Sequence, residues 1–241
     1  MTAREMHYDF KQKLNKIDSQ KYRNLLVPEI DWKLNEAQDI FVKTIAEPRT
    51  ESQLGFESNQ RTIEDIITIV VDPNQTEGGC ITPTIYDTGK YLAPLPDDYW
   101  FHIKSRVIAS KGACLNKQLV CFPRQHDDLH EISPFDKSSF EWRQVNFEFN
   151  KDGVVLFTDG VFTISKYCIS YIRTPRPIWN AQDYQGGQYR ALTGVMLTGM
   201  QNCELPEKTH REIVDLAVLI ATGDLQIPDY AIKANKLKLT N

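Results

Sequence analysis

Val145-Asn146-Phe147-Glu148-Phe149-Asn150-Lys151-Asp152-Gly153-Val154-Val155-Leu156-Phe157 reads as two strands joined by a tight turn. Val145, Phe147 and Phe149 alternate with polar residues, the period of a strand with one face buried. Asn150-Lys151-Asp152-Gly153 is hairpin-like, because Asn, Asp and Gly tolerate the backbone angles that a tight reversal needs. Thr158-Asp159-Gly160 turns again into Val161-Phe162-Thr163-Ile164, and Tyr167, Ile169 and Tyr171 alternate in a last strand. Thr174-Pro175-Arg176-Pro177 stops it, since proline brings no amide donor to a ladder. No helix-length pattern separates these strands. A meander or small sandwich therefore fits better than alternating strand–helix units.

Upstream, Thr82 to Tyr86, Tyr99 to Ala109 and Leu119-Val120-Cys121-Phe122 add short extended segments, while Leu95-Pro96-Asp97-Asp98 could cap a helical turn. The N-terminal third is helical in pattern. Thr2 and Glu5 have capping-box spacing, and Met6, Phe10, Leu14 and Ile17 form one stripe. Pro28 occupies the place of a first helical residue, with Glu29 and Asp31 suited to a helix N-terminus. Ile30, Leu34, Ala37, Phe41 and Ile45 make the second stripe, which Pro48 ends. Residues 58–69 suggest a shorter helix whose β-branched end turns into strand.

Residues 180–202 are polar and Gly-rich, a loop by composition. A last helix starts near Pro206, buries Ile213, Leu216, Ala217 and Ile220, and meets a natural stop at Gly223. The tail alternates Lys-Leu-Lys-Leu, a pattern that can add a strand to a sheet or to a neighbour. The fold class expected is α+β: a helical N-terminal third, a β-rich, meander or sandwich-like middle, and a C-terminal helix with an extended tail. The segments are 1–75, 76–180 and 181–241, joined in one composite domain.

At 241 residues, with 41% hydrophobic and 25% charged side chains, the chain can bury a sizeable core. No stretch approaches the roughly 20 apolar residues of a membrane helix, and Met1 to Met6 lack the apolar core and cleavage site of a secretory signal. Synthesis in the cytosol is the expectation. Cys80, Cys114, Cys121, Cys168 and Cys203 are odd in number and scattered, which points to reduced, mostly buried thiols. Residues 25–100 hold five basic against fourteen acidic groups, whereas residues 1–24 hold six against three. No block is basic enough for a DNA-binding footprint. The alternation suits contacts between neighbouring copies, basic face to acidic face.

Searching for chemistry gives little. Cys114, Cys121, His126 and His130 offer thiolates and imidazoles, but structural zinc sites space their cysteines roughly two to four residues apart. Cys114 and Cys121 fit better as the flanks of a hairpin with Asn116-Lys117-Gln118 at its tip. No nucleophile elbow, phosphate loop or zinc-protease helix motif is present. Asp97-Asp98 and Asp127-Asp128 are sequence neighbours, explained by turns more simply than by acid–base pairs facing across a substrate. The expectation is no catalytic residue, no metal and no cofactor.

Several segments, in order along the chain, resemble one family. They are Tyr22-Arg23-Asn24-Leu25-Leu26-Val27-Pro28-Glu29-Ile30-Asp31-Trp32, Leu54-Gly55-Phe56-Glu57, Leu95-Pro96-Asp97-Asp98-Tyr99, Tyr171-Ile172-Arg173-Thr174-Pro175-Arg176, and Glu204-Leu205-Pro206-Glu207 running into Ile213-Val214-Asp215-Leu216-Ala217. The chain is similar to the virion structural proteins of crAss-like bacteriophages that form rings between portal and tail. The resemblance implies a non-enzymatic subunit, made in the host cytoplasm and built into the virion at the head–tail junction or tail. It implies a homo-oligomeric ring, twelvefold like the portal it would extend. Its partners would be copies of itself, the portal and neighbouring tail or ring proteins. Genomic DNA would pass the bore without specific binding, and no membrane is involved. A fibre-attachment or cargo protein of the virion is the alternative, and a small metal- or Cys-dependent hydrolase a more distant one. Interface candidates are Arg173 and Arg176 around Thr174-Pro175, and Trp179, Tyr184 and Tyr189 in the following loop, residue types enriched at interfaces.

Overall fold

Antiparallel pairing dominates residues 70–174, where nine strands share one mixed sheet. They are β1 (Val70–Val71), β2 (Cys80–Ile81), β3 (Thr84–Asp87), β4 (Lys90–Ala93), β5 (Tyr99–Lys111), β6 (Cys114–Pro123), β7 (Gln144–Asn150), β8 (Gly153–Phe157) and β9 (Thr163–Arg173). The computed structural model describes residues 1–15, 25–46, 64–73, 80–124, 138–191 and 193–224. It divides into two compact units, Val70–Thr174, and Met1–Ile69 together with Pro175–Asn241. Residues 1–69 of the first expected segment and all of 181–241 fall in one unit, and residues 70–75 fall with the β-rich one.

The spatial order β1-β9-β5-β6-β7-β8-β4-β3, with β2 also on β9, departs from a plain meander, for β4 lies beside β8 rather than β5. Strand β9 inserts between β1 and β5, and β6 runs parallel to β7. A parallel pair cannot be closed by a tight hairpin turn. The β7–β8 hairpin forms as read, with Asn150 opposite Gly153. Gly153 is obligatory there: its φ is +141°, and a Cβ would lie 2.3 Å from the Ala93 carbonyl oxygen.

The sheet's core follows the alternation. Val107 and Ala109 of β5, Leu119 and Cys121 of β6, Val145 and Phe147 of β7, and Val154 and Leu156 of β8 pack with Tyr167, Ile169 and Tyr171 of β9. Phe147 also meets His102 and Phe149, at ring-centre distances of 5.3 Å each. The alternation hides one thing: Cys168, Ser170 and Ile172, on the other face of β9, are buried as well.

The expectation of reduced cysteines is corrected. Cys80 and Cys168 are cross-strand partners in β2 and β9, their Cα atoms 4.1 Å apart, and form a disulfide. Their separation of 88 positions concealed a pairing that only the sheet register creates. Cys121 and Cys203 are free and buried, and Cys114 is free and exposed.

The other unit is built on α1 (Ala3–Asn15), α2 (Val27–Ala46) and α3 (His210–Asp224). Helix α1 opens with the reciprocal capping box. The Thr2 amide donates to Glu5 Oε2 at 2.8 Å, and the Glu5 amide donates to Thr2 Oγ1 at 3.2 Å. Met6, Phe10 and Leu14 are buried as expected; Ile17 lies outside the described residues. At α2, Leu26 and Glu29 make half of such a box, the Leu26 amide donating to Glu29 Oε2 at 2.7 Å. Pro28 is the second helical residue rather than the first. Of its stripe Ile30, Leu34 and Ala37 are buried, while Phe41 and Ile45 are partly open; Pro48 lies outside the described residues.

The third candidate helix is described from residue 64. It is a helical turn, then a 3-10 turn Ile67–Ile69 that runs into β1, as the β-branched residues suggested. Helix α3 packs on both α1 and α2. Its buried face is Ile213, Val214, Ala217, Val218 and Ala221, rotated from the one read in the sequence, because two neighbouring helices need a broader apolar stripe. Residues 180–202 are more than a loop: β10 (Trp179–Asn180) pairs with β13 (Met200–Gln201), and β11 (Gln188–Arg190) with β12 (Met196–Thr198). Strands of two or three residues are too short to leave a period in the sequence.

Candidate assembly surface

Asp31, Asn35 and Gln38 lie on one face of α2, since positions four and three apart stack on a helix. Together they hold the segment 176–180, which has no sheet of its own beyond β10. The Asn35 side chain donates to the Ile178 carbonyl at 2.8 Å and accepts from the Ile178 amide at 2.7 Å. Gln38 donates to the Arg176 carbonyl at 3.1 Å and accepts from the Cys203 thiol at 3.3 Å. Asp31 accepts from the Asn180 amide at 3.2 Å and from the Tyr189 hydroxyl at 2.6 Å, and pairs with His7 Nε2 at 2.7 Å. These side chains give the segment the partners that buried backbone polar groups require. Asp31, read in the sequence as suiting a helix N-terminus, is instead the hub of this network.

A buried His–Asp pair invites comparison with catalytic couples. Here the side chains of both partners are only 4% exposed, and every Asp31 contact is to a group that positions the fold. The open depression on this unit is lined by Met1, Glu5, Tyr8, Asp9, Gln12, Lys13 and Arg211, apart from Asp31. Among the described residues no three His, Cys, Asp or Glu side chains converge as a metal site. Cys114 and Cys121 sit at opposite parity on β6, one exposed and one buried, and thus face opposite ways. His126 and His130 lie outside the described residues. Burial pushes the Cys121 thiol up to about 12 and the Cys203 thiol to about 11, far from the thiolate a nucleophile needs.

The interface candidates are placed in two groups. Arg173 ends β9, its Nη1 donating to the Thr174 carbonyl at 3.5 Å. Arg176 is exposed; its amide donates to Glu204 Oε1 at 2.7 Å, while its guanidinium lies 3.9 Å from the same carboxylate. Trp179, Tyr184 and Tyr189 come together around Val27 and Ala181. Tyr189 is buried and meets Tyr184 edge-on at 5.7 Å. Trp179 and Tyr184 are half-buried, and the Trp179 indole donates to the Thr198 carbonyl at 3.2 Å.

The most open apolar side chains lie elsewhere and were not singled out in the sequence. Trp142 is 80% exposed. It sits in a turn closed by paired hydrogen bonds between Ser139 and Gln144, with Arg143 in the left-handed region at φ 58°. That turn directs Trp142 outward. Its signal was Glu141-Trp142-Arg143 directly before the alternating strand, an aromatic between charges. Ile85, 79% exposed, and Tyr86 lie on β3, whose second edge carries no strand among the described residues. An exposed, apolar edge is a template for another chain.

A family model described as "Phage tail ring protein 3/4" matches residues 1–228. "Ring protein 4/5" of Bacteroides phage crAss001 is 27% identical over 238 residues, spanning 94% of this chain and 96% of that protein.

Proposed function

The chain belongs to the phage tail ring protein 3/4 family, and we propose that it is the repeating subunit of a closed homo-oligomeric ring in the head–tail connector or tail. The ring would stack coaxially with the portal, extend its channel and let the genome pass. The match to ring proteins over nearly the whole chain carries this reading, and its role is structural rather than catalytic. What the structure adds is a set of surfaces suited to assembly. A closed ring joins two different patches of each copy, head to tail. One is the β3 edge at Ile85 and Tyr86, with Trp142 a further exposed anchor. The other is the segment of Arg176, Trp179 and Tyr184, which Tyr189 supports from within. Twelve copies would match a twelvefold portal. The formal charge of −4 suits a bore that repels phosphates and lets DNA slide.

Negative-stain microscopy of the purified protein, alone and mixed with portal, tests the ring. Symmetric annular particles are expected, and monomers under both conditions would overturn it. Threefold or sixfold symmetry would favour a fibre-attachment role instead. Trp142→Ala should reduce assembly and leave the monomer's melting temperature unchanged. Trp179→Ala should weaken assembly more than folding; equal loss of both would return Trp179 to a packing role. Retention of duplex DNA by the rings at low salt would contradict the repelling bore.

A further inference from the structure

We propose that Cys80 and Cys168 form an oxidation site, open as two thiols while the subunit is made and closed as a disulfide in the released particle. Three observations carry it. The two residues are direct cross-strand partners, with Cα atoms 4.1 Å apart, so the sheet register itself brings the two sulfurs within bonding reach. Among the described residues strand β2 meets β9 at two ladder positions, Cys80 with Cys168 and Ile81 with Tyr167. So short a pairing is marginal by itself, and the bond is what fastens β2 to β9. Finally, Cys168 is buried while Cys80 is partly open, so Cys80 is the residue of the pair that an external reagent can approach.

The chemistry is thiol–disulfide exchange. The Cys80 thiolate attacks one sulfur of a small-molecule disulfide such as oxidised glutathione and releases one glutathione thiolate. The Cys168 thiolate then attacks Cys80 Sγ and releases the second. Two protein thiols have lost two protons and two electrons, and one glutathione disulfide has become two thiols. A reducing cytosol holds the pair open and a more oxidising exterior closes it. The consequence is mechanical. The closed bond joins chain segments 88 residues apart and keeps β2 on β9 at Tyr167 and Cys168, next to the Tyr171–Ile172 stretch that β1 covers. The timing rests on the virion reading given above; the chemistry does not.

The test uses the full-length protein, purified under reductant and then equilibrated with oxidised glutathione. Alkylation in denaturant with mass spectrometry should find three free thiols, Cys114, Cys121 and Cys203, and one peptide linking Cys80 to Cys168. Five free thiols, or a link through Cys114, would overturn the proposal. Oxidation should raise the melting temperature by on the order of 10 °C in the wild-type protein. It should leave Cys80→Ser unchanged, and an equal rise in that variant would also overturn it. Because the thiol count does not depend on ring formation, absence of rings in the microscope bears on the ring alone. Virions alkylated on release should show the same link; all five thiols free there would overturn the timing.

Discussion

The hydroxyl of Tyr189 donates to Oδ2 of Asp31 at 2.6 Å, joining β11 to α2 across 158 residues of sequence. The opposite oxygen of the same carboxylate holds His7 of α1 at 2.7 Å. One buried side chain therefore fixes the N-terminal helix, the second helix and the C-terminal segment that carries Trp179 and Tyr184.

Removing it should be costly. Asp31→Ala leaves His7, the Tyr189 hydroxyl and the Asn180 amide without their acceptor in a buried setting. A loss of about 3–5 kcal/mol is expected, read from the denaturant midpoint. Asp31→Asn keeps the shape and one acceptor and should lose less.

Gly153 is the most crowded of the glycines with positive φ. Gly153→Ala places a Cβ 2.3 Å from the Ala93 oxygen and should cost more than about 2 kcal/mol. Gly160 also has positive φ, at +77°, but nothing lies within 4 Å of its would-be Cβ. Gly160→Ala should cost about 1–2 kcal/mol, the left-handed strain alone. Thermal melts of the two variants side by side check the difference.

Arg4 controls an acid-side transition. Its hydrogen bond and charge lower Asp183 from an ordinary 3.8 to about 2, with Asn180 assisting. A lowered carboxylate stabilises the fold fully above its ordinary value and loses that contribution as pH falls from 3.8 toward 2. In Arg4→Ala the Asp183 titration, followed by carboxyl NMR, should move back toward 3.8.

Two tyrosines of the sheet contribute on the alkaline side. Burial pushes Tyr99 and Tyr171 up to about 12, and Tyr171 also donates to Asp98 at 2.9 Å. A raised phenol favours the fold fully below its ordinary value of 10 and ceases to as pH rises from 10 to about 12. Phenolate absorbance should therefore lag behind that of the unfolded chain over this interval. Asp98→Ala should bring Tyr171 down and leave Tyr99 in place.

Much of the candidate assembly surface was beyond the sequence. Arg176, Trp179, Tyr184 and Tyr189 could be named from residue type and a loop-like context. That Tyr189 is buried while Trp142 stands out in solvent depends on which backbone segments pack above each ring. Trp142 owes its exposure to a six-residue bridge between Ser139 and Gln144, a reversal with no sequence period to announce it.

Local physics settled what is local. The Thr2–Glu5 cap, the Met6-Phe10-Leu14 stripe, the Asn150–Gly153 hairpin and the alternation of Val145 and Phe147 all depend on residues within a few positions of each other. Their periods are written in the chain, and the α+β class follows from them. Order in space is another matter. The insertion of β9 between β1 and β5, the parallel β6–β7 pair, the Cys80–Cys168 bond and the Asp31–Tyr189 contact join residues tens to more than a hundred positions apart. Such pairs form because many side chains bury together at once, a sum over the whole core that no short window contains.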